Sequence, residues 1–225
     1  MRRRVLLLGC VLAVLAIATA ANAGLPSFRG YTGLVLVPTA DALCKGHWNA
    51  GVFFEDVSSE TVNDYVFNFG VSEGVEVGFD RFQYDDNQDP GTLLNAKWSF
   101  IPETDQKPGV AVGIIDLTND LETTVYFVAS KSLGETLEYY EGELVNTRVH
   151  IGFGGGQLRS LFVGASGYLG NRLQITGEWD STSVQAGGRL RVTPSLTVHA
   201  GWFDVFNSGN ARASFGAGVS YLRAF

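Results

Sequence analysis

Apolar and polar residues alternate with a period of two along most of this chain, in segments of about ten residues divided by Gly, Asn, Asp, Ser or Pro. In RLQITGEWD, Leu173, Ile175, Gly177 and Trp179 share one face, while Gln174, Thr176 and Glu178 share the other. SVQAGGRLRV opposes Val184, Ala186, Gly188, Leu190 and Val192 to Gln185, Gly187, Arg189 and Arg191. SLTVHAGW, RVHIGF, LLNAKWSF, VEVGF and HWNAGVFF repeat the pattern. It predicts strands at 47–56, 62–71, 74–83, 92–101, 109–117, 122–132, 145–154, 160–169, 172–180, 183–192, 195–205 and 211–225. The class is therefore all-β, with about twelve strands within a range of about ten to fourteen.

Two architectures share this alternation, and the composition of each face separates them. A soluble sandwich buries its apolar face and solvates the other with Lys, Glu and Thr. An antiparallel transmembrane barrel turns its apolar face to lipid, with aromatic residues near the interfaces, and keeps a polar interior. Here the polar parity is rich in glycine (Gly51, Gly70, Gly78, Gly113, Gly152, Gly154, Gly187, Gly201, Gly216). It also carries charges of both signs: Glu76, Asp80, Lys97, Arg148, Glu178, Arg189, Arg191 and Arg212. Trp48, Trp98, Trp179 and Trp202 all fall on the apolar parity. This is the face chemistry of a lumen and a lipid-facing wall, in which Glu76, Asp80 and Glu178 are expected to pair with Lys97, Arg148, Arg189 and Arg191. A soluble periplasmic sandwich is the alternative architecture.

The first 23 residues have three arginines, an apolar run from Val5 to Ala18 and an A-x-A site at Ala21 to Ala23, the layout of a cleaved signal peptide. A lipoprotein signal at Cys10 and a retained helix are the rival readings; the apolar run continues past Cys10 and is short for a span. Residues 24–46 then form a lead-in or plug segment, and 47–225 the barrel. Cleavage leaves Cys44 without a disulfide partner and 13 basic against 23 acidic residues, a net charge of −10. That sign excludes nucleic acid as the expected partner.

A closed barrel must pair its last strand with its first. Ser214, Gly216, Val219 and Tyr221, with the aromatic terminus Phe225, resemble the C-terminal assembly signal of outer-membrane barrels. That resemblance implies an outer-membrane location in a Gram-negative-type cell, with lipid and the barrel-assembly machinery as partners.

The N-terminal stretches GYTGLVLVPTADALCKGHWNAGVFF and NFGVSEGVEVGFDRF resemble the YjbH-like family of outer-membrane proteins associated with exopolysaccharide production. The likeness rests on G-x-T-G-L followed by P-T-A, on Gly46 before the first strand, and on the N-x-G-V-x-x-G-V-E-x-G pairing of strands two and three. It covers residues 30 to 82. It implies a narrow or gated pore or scaffold for polysaccharide secretion, with polysaccharide and periplasmic export proteins as partners, and brings no catalytic site. A structural or adhesive barrel that conducts nothing is the runner-up.

Other constellations read as structure. The stretch from Asp85 to Gly91 resembles the start of a calcium loop, but Pro90 and Ala96 stand where Gly and the bidentate Glu belong. The acidic GETLEYYEGELVN reads as a long polar connection at 133–144, and GFGGG as the end of a packed strand without the Lys of a phosphate loop. His47, His150 and His199 take the inward parity, which raises an outer-membrane hydrolase with a nearby Ser or Asp, yet no recognised catalytic signature accompanies them. No catalytic, metal or cofactor residue is expected.

Overall fold

The computed structural model describes residues 24–57, 60–84, 91–134, 136–139, 142–170, 172–207 and 214–223. The signal-peptide stretch, Asp85 to Pro90, Arg212 and Phe225 lie outside the described residues. The elements in order are β1 (Trp48–Val57), β2 (Glu60–Ser72), β3 (Val75–Tyr84), β4 (Gly91–Ile101), β5 (Gly109–Ile115), β6 (Thr124–Ser132) and β7 (Thr136–Tyr139). They continue as β8 (Gly142–Gly154), β9 (Leu161–Leu169), β10 (Leu173–Trp179), β11 (Val184–Arg191), β12 (Leu196–Phe203) and β13 (Ser214–Arg223). A 3-10 turn, Gly156–Leu158, follows β8. No helix among the described residues is long and apolar enough to cross a membrane.

Each strand but β6 pairs antiparallel with the next, and the ring closes where β1 meets β13, with Gly51 opposite Ser220 and Phe53 opposite Gly218. β6 pairs with β8, and β7 pairs with β8 alone, from Thr136↔Val145 to Tyr139↔Gly142. The segment at 133–144 is thus not the polar connection its acidic composition suggests. β6 and β7 are two pieces of one stave, and β8 runs past the rim to meet both. Counted by staves, this is a closed twelve-stranded barrel.

Burial decides between sandwich and barrel. The apolar parity faces outward: Ile175 is 39% exposed, Trp202 56% and Phe153 63%. The polar parity faces inward, with Asn49, Asp80 and Ser130 fully buried. A soluble sandwich would show the reverse, so the outer surface is built for hydrocarbon. Trp48, Trp98 and Tyr221 lie near the end that carries both chain termini, and Trp179 and Trp202 near the opposite end, as interfacial girdles require.

The inward glycines have a steric cause. Phe53, Phe82, Tyr126 and Phe162 each stand directly across the ladder from a glycine: Gly218, Gly91, Gly113 and Gly152. Their rings lie flat over the bare backbone, where a Cβ would come within 2.1 to 2.3 Å of the ring. An aromatic ring laid over a glycine fills the space that the missing side chain leaves and pins the strand register.

Candidate functional site: an occupied lumen

Residues 24–47 run through the interior. The segment folds on itself first: Gly30, at φ +85°, makes a turn that lets Ser27 N–H reach Tyr31 O (2.8 Å), and Phe28 N–H then bonds Val35 O (3.0 Å). Its apolar side chains enter two clusters shared with the wall. Phe28 and Val35 pack with Phe53, Val66 and Phe203, while Tyr31, Val37 and Ala40 pack with Ile115, Tyr126 and Phe162. Glycines make room for it: a Cβ at Gly187 would meet Val35 at 2.5 Å, and one at Gly164 would meet Leu34 at 2.6 Å. The segment leaves over Gly70, which bonds Gly46 N–H (2.8 Å), and joins β1.

The wall charges hold this plug by its backbone. Glu178 on β10 accepts three consecutive amides, Val35 (3.0 Å), Leu36 and Val37 (3.1 Å). Glu76 on β3 accepts Thr32 N–H (3.0 Å), the Thr32 hydroxyl and Leu43 N–H (2.9 Å). Lys97 on β4 donates to the carbonyls of Thr32 and Asp41, and Arg189 on β11 to those of Pro26 and Leu34. Such charge-assisted bonds satisfy an irregular backbone that would otherwise be buried unpaired.

Two ion pairs add side-chain anchors. Arg29 of the plug binds Glu55 on β1 through both nitrogens (2.6 and 2.9 Å). Arg148 on β8 binds Asp41 of the plug in the same two-pronged way (2.6 and 3.0 Å), and reaches Glu103 on the β4–β5 connection at 2.6 Å. Burial alone would raise the Asp41 carboxyl, but the Arg148 guanidinium outweighs it and holds the group below its ordinary value. Glu103 is also lowered, against the effect of its partial burial, by the Ser132 amide and by Arg148.

Of the residues expected to line the lumen, Glu76, Asp80, Lys97, Arg148, Glu178 and Arg189 are buried and Arg191 is half-buried, and their partners are not the expected ones. Among the described residues no ion pair joins Glu76, Asp80 or Glu178 to Lys97, Arg148 or Arg189. Four of the seven bind plug backbone and Arg148 binds a plug carboxylate. Arg191 lies over the Tyr168 ring at 5.9 Å, and Asp80 is buried beside Gly30 of the plug. Sequence reasoning missed Arg29, Asp41, Glu55 and Asp64. Glu55 and Asp64 lie on the inward parity of β1 and β2 and were open to the same pattern argument; Arg29 and Asp41 sit in a segment with no period. Of the expected assembly-signal residues, Ser214, Gly216, Val219 and Tyr221 lie on β13 against β1 or β12.

Two histidines have serine partners. His150 Nδ1 lies 2.7 Å from Ser130 Oγ, and His199 Nε2 lies 2.7 Å from Ser220 Oγ. Both pairs are buried, and among the described residues no carboxylate is hydrogen-bonded to either ring.

No family model and no curated protein matches the chain. Among solved structures it is similar to the KdgM porin, with a TM-score of 0.57 and 10% identity over 80% of this chain and 99% of that one. That likeness is one of fold. A set of designed transmembrane β-barrels (TM-score 0.30, 12% identity, 80% of this chain and 97% of that one) and Pseudomonas putida OprB at low pH (0.26, 11%, 79% and 91%) superpose only loosely.

Proposed function

We propose that the chain is an outer-membrane barrel of a Gram-negative-type cell whose narrow pore is gated by its own N-terminal segment, and that it serves exopolysaccharide secretion without catalysing a reaction. The observation that carries the gated pore is the occupied lumen. Residues 24–47 fill it, yet they are fastened by hydrogen bonds and ion pairs rather than by a covalent link or a strand of the wall. Such contacts can be exchanged for contacts with a ligand or partner. The outward apolar surface supports the membrane location, and the likeness in fold to a protein named as a porin supports passage as the role. The pathway rests on the resemblance of residues 30 to 82 to the YjbH-like family.

Deleting the gene is expected to lower the amount, or change the composition, of secreted polysaccharide, and the wild-type gene to restore it. Unchanged polysaccharide would remove the pathway from the proposal. A non-conducting scaffold is the second reading, favoured by the number of anchors on the plug; it predicts that loosening those anchors produces no channel.

A further inference from the structure

At the terminus end of the lumen a polar crevice separates the plug from β8 to β11, lined by Asp41, Arg148, His150, Ser166, Gln174 and Arg189 among others. Three features of it point to a ligand. Arg148 Nε is buried and has no hydrogen-bond partner among the described residues. His150 Nε2 is in the same condition. Ser130 Oγ accepts the Ala40 amide (2.8 Å) and lies 2.7 Å from His150 Nδ1, which leaves Nε2 as the ring nitrogen without a partner among the described residues. Arg189, 6% exposed, binds two carbonyls and the Gln174 amide oxygen, with no carboxylate in its ion-pair range among the described residues.

The crevice thus offers unpaired buried nitrogens on Arg148 and His150 and a guanidinium, Arg189, to which no carboxylate is hydrogen-bonded among the described residues, and it already seats the Asp41 carboxylate. Asp41 occupies the Arg148 fork from the plug side, while Glu103 holds the same guanidinium from the wall side. Loss of Asp41 would leave Arg148 in position, anchored by Glu103.

We propose that this crevice is a binding site for a sugar carboxylate, and that the incoming group takes the place of Asp41 on Arg148. The plug's own aspartate is then a resident competitor, and its displacement loosens the plug between Ala40 and Leu43. The inference rests on the closed lumen and on the polysaccharide role proposed above, which supplies the sugar, and adds the carboxylate as the group that opens the lumen.

The test is calorimetric titration of the full-length barrel in detergent with glucuronate, with glucose and inorganic phosphate as comparisons. Glucuronate is expected to bind saturably and glucose not at all. Asp41→Asn, which removes the competitor, should tighten glucuronate about five-fold or more, and Arg189→Gln should weaken it about ten-fold or more. The heat-dependent gel mobility of each variant shows that its barrel is intact, and Ser166→Ala provides a milder loss if Arg189→Gln does not fold. No saturable glucuronate binding, an Asp41→Asn affinity equal to or below wild type, or phosphate binding as tight as glucuronate would each overturn the carboxylate site. A wild-type protein that conducts at rest would instead overturn the closed lumen and leave the titration standing.

Discussion

Glu178 shows what a buried charge does in this barrel. One carboxylate takes three adjacent amide protons of the plug, and no wall cation shares it through an ion pair among the described residues. Glu178→Ala would leave those donors unpaired in the lumen, at about 1–3 kcal/mol for each that water fails to reach. The expected result is a lower denaturant midpoint in detergent together with flickering conductance; a variant as stable and as silent as wild type would show that the bonds do not hold the plug. Asp41 and Glu103 give a pH dependence at the same scale. Both carboxyls are lowered in the folded protein, which therefore binds fewer protons than the unfolded chain. Their contribution is complete above the ordinary carboxylate range and is lost as pH falls through the folded values, below about 4. The unfolding midpoint should drop as pH falls below about 4, and Arg148→Gln should flatten that drop.

The strand is the next scale. Ile175 lies outward in the middle of β10, so Ile175→Arg places a charge in lipid and should cost about 2–4 kcal/mol in folding, measured in bilayers. A soluble barrel would tolerate it. Inward, a methyl at Gly152 would collide with Phe162, so Gly152→Ala should destabilise by about 1–3 kcal/mol, and Phe162→Leu in the same chain should recover part of the loss. Most of this level was legible in the sequence, because in a wall one strand thick the period of two sets the facing of every residue. Ile175 and Glu178 were assigned to opposite faces on that ground alone. The stave formed by β6 and β7 was not legible, since Glu138 and Glu143, opposite each other in register, disguise a strand as a connection. The partners of the inner charges were hidden for a different reason. Thr32, Val35 and Asp41 belong to a segment with no period, and its place in the lumen depends on contacts more than 100 residues apart, as between Val35 and Glu178 or Asp41 and Arg148.

At the scale of the whole molecule the usual arrangement of a soluble protein is inverted: apolar residues outside, charged residues within, and a peptide segment in the place of the water or side chains that fill other barrels. The central claim is that a membrane barrel is shut by its own N-terminal segment. Planar-bilayer recording tests it most directly, comparing the wild-type chain with one in which residues 24–46 are removed behind the same leader. The account predicts a silent or rarely opening wild type and a steady conductance from the shortened chain. Steady conductance from the wild type, or silence from a shortened chain that still folds, would contradict it.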